Sequence, residues 1–236
     1  MANVTGLVTL PPRTVRRVYR EPMAHLHDAT ITPGKRDLIK GWLPSRAWFA
    51  GDLDGRRPVA SFRFDDPAGH VGVECFLMGA AEGSTAPTLL VPMSYRGAPL
   101  DGAEEHLIGT TQHSVLGPRW VYDGCGDPVA VSAILSAILT GGHEAELTIE
   151  QDGRMVTLDP TCRVSGSGTA TEAVAAETVT VLDAGDPTVT RAGDLELVLA
   201  RVVGPRQPGV DGEQTLTAQW GAHAPVVLAA ARRTVE

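Results

Sequence analysis

The chain has 236 residues, 43% hydrophobic and 20% charged, with a net charge of -8. That is enough apolar material for one large domain or two small ones. The acidic balance excludes wholesale binding to nucleic acid or an anionic membrane, because both need a basic face. No apolar run approaches the ~18 residues of a membrane span.

Residues 1–22 carry Arg13, Arg16, Arg17 and Arg20 against the single acid Glu21, with three prolines. This start lacks the basic head and long apolar core of a secretory leader. The texture predicts a disordered basic extension, dispensable for folding, ahead of a second start at Met23. His25 and His27 share a face if extended, but zinc needs three or four ligands and no third is spaced to join them. Thr32 and Pro33 have the chemistry of a helix N-cap and first position, and Leu38, Ile39, Trp42 and Leu43 share one helical face that Pro44 ends. Trp42 and Trp48 are expected to be buried and structural. Val59–Phe64, Val71–Met78 and Leu89–Tyr95 read as strands separated by turn residues, and His106–Leu116 and Trp120–Tyr122 continue an antiparallel meander. Asp127 caps and Pro128 opens a helix over Val129–Leu139, which Gly141-Gly142 stop. Apolar on nearly all sides, this helix must be buried against a sheet.

After Gly142 the texture turns to β. Asp152-Gly153 between Glu146–Glu150 and Met155–Leu158 signals a hairpin. Val164–Glu177 reads as loop or weak strand, Pro205–Gly212 as loop, and Val179–Leu182, Leu195–Val203, Gln214–Trp220 and Val226–Ala231 as strands. The chain therefore divides into an extension (1–22), an α+β domain (23–142) and a smaller, mostly-β part (143–236).

Residues 105–129 are the densest in chemistry-bearing side chains, and His113, Arg119, Trp120, Tyr122, Asp123 and Asp127 are the candidate binding or structural residues. His113-Ser114 lacks the Gly-x-Ser-x-Gly elbow of a hydrolase, and neighbours on a strand point to opposite faces. Gly124-Cys125-Gly126 resembles a phosphate turn, but no Gly-Lys-Thr/Ser follows and Asp127 would occupy the free helix amides. Asp65-Asp66 and Glu104-Glu105 read as turn acids rather than a glycosidase couple. Cys125 becomes a reactive thiol only if a helix start lowers its pKa. Cys75, Cys125 and Cys162, odd in number and widely spaced, read as reduced thiols in a cytoplasmic protein. No catalytic residue, metal or cofactor is predicted. Alternation puts Trp120 and Tyr122 on one strand face, either packed on the core or exposed as a platform for a sugar ring or a partner.

Trp42-Leu43-Pro44 followed by Trp48-Phe49-Ala50-Gly51 resembles the opening of the N-terminal cap domain of actinobacterial maltokinases, although Ala47 stands where that family carries an arginine. Phe64–Gly69, Val91–Leu100 and His113–Asp123 resemble the hallmarks of a stand-alone family of maltokinase-cap-like proteins, whose relatives are sometimes labelled 1,4-alpha-glucan branching protein. The resemblance covers about residues 23–142 and reaches more weakly to Leu216–Arg232. It implies an α+β cap, a curved antiparallel sheet packed with helices and somewhat cystatin-like. It does not imply kinase activity: in maltokinases the chemistry sits in a following phosphotransferase-like domain, and about 94 residues remain here after position 142. A branching enzyme needs a (β/α)₈ barrel of about 250 residues, more than this chain holds. The expected role is a non-catalytic accessory or regulatory module in maltose, trehalose or glycogen metabolism. It would act through a protein partner or a glucan or maltooligosaccharide. The alternatives are a small sugar- or sugar-phosphate-acting enzyme built on Glu105–Asp127, and a homodimer or larger oligomer that pairs exposed strand edges.

Overall fold

The computed structural model describes residues 23–26, 30–53, 55–80, 85–151, 154–204 and 208–234. The expectations for residues 1–22, for His27 and for the Asp152-Gly153 turn lie outside them. The described chain runs β1 (Met23–Leu26), β2 (Ile31–Thr32), α1 (Lys35–Trp42), β3 (Arg57–Asp65), β4 (Gly72–Gly79), β5 (Thr88–Arg96), β6 (Leu107–His113), β7 (Gly117–Asp123) and α2 (Pro128–Thr140). It continues with β8 (Glu146–Gln151), β9 (Arg154–Leu158), β10 (Arg163–Gly166), β11 (Thr180–Asp183), β12 (Thr188–Ala192), β13 (Leu195–Leu199), β14 (Val202–Val203), β15 (Gln214–Gln219) and β16 (Val226–Arg233).

The first sheet has the order β2-β6-β7-β5-β4-β3, with β14 pairing β5. Its β3-β4-β5 part is the expected meander, but β7 rather than β6 lies beside β5. Register shifts at Pro58/Ala60 and Leu107/Gly109 mark bulges that add twist, and the sheet curls. The second sheet has the order β10-β15-β16-β13-β12-β11, and the third is β1-β8-β9, with β1 and β8 parallel. Among the described residues helix is limited to α1, α2 and short 3-10 turns, so the α+β expectation holds only coarsely and the fold is mostly β.

β4 explains the layering. Val73, Cys75 and Leu77 join one apolar cluster, and Phe76 and Met78 join the other. A strand buried on both faces has lost the alternation of a half-exposed one. On the α1 side the strand meets Leu38, Ile39, Trp42 and Leu43, with Trp42 and Trp48 edge to face at 5.9 Å. The opposite cluster holds α2, packed between the two larger sheets, and draws residues from both sides of position 142.

Two helix ends correct the sequence reading differently. Thr32 does not cap α1: it pairs with Gln112 in the sheet, and Gly34 takes the cap position without a side-chain hydrogen bond. At α2 the expected caps are present. Asp127 Oδ1 accepts from the Val129 amide, and Gly141 takes the left-handed conformation at φ 69°. Gly166-Ser167-Gly168 is an ordered part of this end. The Gly168 and Ala170 amides donate to the Ile138 and Leu139 carbonyls, satisfying acceptors the helix leaves open. A Cβ on Gly168 would lie 2.0 Å from the Leu139 oxygen, so only glycine passes there.

Candidate functional site

The pairing of β5 with β7 sets Ser94 opposite Tyr122 and Arg96 opposite Trp120, and the chain then turns through Gly124–Gly126 into α2. Asp127, fully buried at the start of the helix, collects four hydrogen bonds. Oδ1 accepts from the Val129 amide at 2.9 Å and from Arg96 Nη2 at 2.6 Å; Oδ2 accepts from Arg96 Nε at 2.6 Å and Ser94 Oγ at 2.5 Å. The Arg96 contact is a two-pronged guanidinium–carboxylate pair. Burial pushes the Asp127 pKa up, but the bonds from Arg96 and Ser94 outweigh it and hold the group below the usual carboxylate range; the Arg96 pKa is raised in turn, mainly by its bond to Asp127.

Asp123 anchors a second buried pair. Oδ1 accepts from the Cys125 amide, and Oδ2 accepts from Arg201 Nη2 at 2.6 Å. Arg201 is 1% exposed. Its Nε donates to Thr188 Oγ1 at 2.7 Å, its backbone amide donates to Asp186, and its guanidinium lies 5.3 Å from the Trp48 ring centre. Burial alone would lower the Arg201 pKa; the charge of Asp123 reverses the shift and keeps the guanidinium charged. Thr190 Oγ1 donates to the Cys125 carbonyl. Cys125 is buried in this network. Burial pushes its thiol up to about 12, which removes the nucleophile that a helix start was expected to create.

The other candidates do not converge on these acids. Tyr122 is 2% exposed and its hydroxyl accepts from the Leu100 amide at 2.8 Å. Trp120 and Arg119 are half-buried, and Arg119 Nη1 donates to the Pro118 carbonyl. His113 lies at the far end of the hairpin, paired with Gly117, and its Nδ1 accepts from the Val115 and Leu116 amides. Seven residues of β7 put roughly 20 Å between His113 and Asp123 at strand rise. Ser114 is taken up by Thr30: its hydroxyl accepts from the Thr30 amide and its own amide donates to the Thr30 carbonyl. Asp66 accepts from the Ala68, His70 and Val71 amides, as a turn residue does. Among the described residues no three of His, Cys, Asp and Glu gather as a metal site, and no helix is long and apolar enough to cross a membrane.

The sequence reading missed Ser94, Arg96 and Arg201. The signal for Arg201 was present: a lone guanidinium inside the apolar run Leu195–Val203 has to be buried, and a buried arginine needs a carboxylate.

A groove of about 530 Å³ lies away from these acids. Its floor is the Val129, Ala133 and Ala137 face of α2. One wall is the extended segment 173–176, whose Val174 and Ala176 amides donate to the Ser136 and Ser132 hydroxyls. Opposite are Asp65–Ala68 and residues 142–146.

The family model of the maltokinase N-terminal cap domain matches residues 42–127, from Trp42 on α1 to the Asp127 cap of α2. The search among curated proteins finds no match.

Proposed function

We propose, on the match of residues 42–127 to the maltokinase N-terminal cap domain, that the protein is a non-catalytic accessory or regulatory module in maltose, trehalose or glycogen metabolism. It acts in the cytoplasm through contacts with a protein partner or a glucan or maltooligosaccharide. In this reading the curled sheet and α1 form a cap related to the cystatin-like architecture of that family. One observation carries the non-catalytic part. Asp127 and Asp123 of the densest motif are consumed by Arg96 and Arg201 inside the protein, whereas an active site needs its acid, base and reacting atom within mutual hydrogen-bond reach. The enzyme alternative on Glu105–Asp127 loses its support for the same reason, since His113 and Asp123 stand at opposite ends of β7. The homodimer alternative keeps one specific support: β9 is the outer strand of its sheet, with Met155 and Val156 exposed.

The test is to incubate the pure protein with maltose, ATP and magnesium and follow ADP. The expected result is no turnover above a buffer blank. A rate that stays with the protein through every purification step overturns the reading.

A further inference from the structure

Folding usually encloses most of a tryptophan, and it does so for three of the four in this chain: Trp42, Trp48 and Trp220 are 5%, 9% and 7% exposed. Each of the three belongs to one of the two apolar clusters, whereas Trp120 is half-buried and belongs to neither. The three enclosed rings are also covered: Arg46 lies over Trp42, Arg201 over Trp48, and His223 beside Trp220. Among the described residues no cation and no second ring covers Trp120. The indole N–H groups of Trp42 and Trp220 are sealed in without a partner. That of Trp120 is not sealed, and nothing among the described residues accepts its hydrogen bond.

The strands set its neighbours. Trp120 stands opposite Arg96 of β5 on one side and Thr110 of β6 on the other, so the three side chains form one row on one face of the sheet. Thr110 is exposed, and the Arg96 side chain is 18% exposed. Buried Asp127 holds Arg96 through Nε and Nη2, which fixes the guanidinium before any ligand arrives and leaves Nη1 over. Leu107, 37% exposed and opposite Tyr122, extends the apolar strip. Both oxygens of Asp127 are used inside the protein, so the row offers donors and a π face without a free carboxylate. Its fixed positive charge repels cations. A ligand that suits it is neutral or anionic, with a flat C–H face and oxygens along its rim, as a hexose ring has.

We propose that Trp120, Arg96 and Thr110 form a platform for one glucose ring of an α-glucan. The sugar lies with its C–H face on the indole, and Arg96 Nη1, the Trp120 indole N–H and the Thr110 hydroxyl donate to hydroxyl oxygens along its rim. The choice of glucose among flat-faced ligands rests on the glucan-binding reading above; the platform itself rests on the exposure of Trp120 and on the row. The aromatic pair of β7 thereby divides its work: Tyr122, two residues along the same face, is buried and packs, and Trp120 binds.

The experiment follows the four indole N–H signals of the isotope-labelled full chain by NMR as maltotriose is added. One signal should move, and it should be the one missing from Trp120→Phe. Trp120→Ala should weaken binding about tenfold, read from the backbone amides of β6 and β7, while thermal unfolding stays close to that of wild type. If Trp120→Ala unfolds, Thr110→Phe, at an exposed position, covers the indole instead and should weaken binding as much. Maltotriose binding that is unchanged in both variants would keep the glucan reading and overturn this site. Movement of the Trp120 signal with AMP, a flat-ringed control, but not with maltotriose would overturn the sugar assignment. No movement with either would overturn the platform, and the accessory role would then rest on a protein partner.

Discussion

The two ends of the β6–β7 hairpin carry similar chemistry: a histidine with a serine at one, two aspartates with a cysteine at the other. At the His113–Gly117 end the side chains close a surface turn, and Val115 and Leu116 are 57% and 46% exposed. At the Asp123–Asp127 end both carboxylates are enclosed and ion-paired, and the first sheet, α2 and the second sheet meet around them. The difference teaches that an acid in a motif is read by what surrounds it. Buried with a guanidinium, it organises packing; in a surface turn, as Asp66 is, it ties down backbone amides.

The largest expected effect comes from removing Arg201. Arg201→Ala leaves Asp123 buried and unpaired, so unfolding in urea should show a loss of about 3–5 kcal/mol. A smaller loss that spares the midpoint would mean that water reaches Asp123 and that the two ends are more alike than the burial says. Next is Tyr122→Ala, expected to cost about 3 kcal/mol through the cavity it leaves, whereas Tyr122→Phe should cost about 1 kcal/mol for the bond to the Leu100 amide. A Tyr122→Ala chain that melts like wild type would make the ring a binding platform rather than a packing device.

Arg96→Gln tests Asp127 and should cost about 2 kcal/mol at neutral pH. Because the folded pKa of Asp127 is depressed, its contribution is complete above the unfolded value near ~3.9 and disappears as pH falls through the folded value. The difference between wild type and Arg96→Gln should therefore be widest above about pH 5 and close toward pH 2. A difference independent of pH would remove the ion pair from the explanation. The smallest effect belongs to the other end, where Leu116→Ser should stay within about 0.5 kcal/mol of wild type.

Where one residue carried its own structural reason, it was legible in the sequence. β3, β4 and β5 followed from β-branched and aromatic runs between turn residues, and α2 from Asp127-Pro128 at its start and Gly141 at its end. Thr32 had the right chemistry for a cap, but its place in the sheet beside Gln112 outweighed it. β12 was missed because Thr-Val-Thr-Arg-Ala is short and half polar; Thr188 and Thr190 are buried since Arg201 and the Cys125 carbonyl use their hydroxyls. The order of β6 and β7 depends on which strand packs beside β5, a long-range choice that no local pattern encodes. The candidate acids were visible, but their guanidinium partners lie 31 and 78 residues away in the chain.

That last separation bears on how the molecule is made. Asp123 leaves the ribosome 78 residues ahead of Arg201. At 5–20 residues per second, Arg201 follows after roughly 4–16 s. Until then the end of β7 and the first turn of α2 would enclose an uncompensated charge if they closed. The packing around Asp123 can therefore be completed only once β12 to β14 have been made, in the last third of the chain.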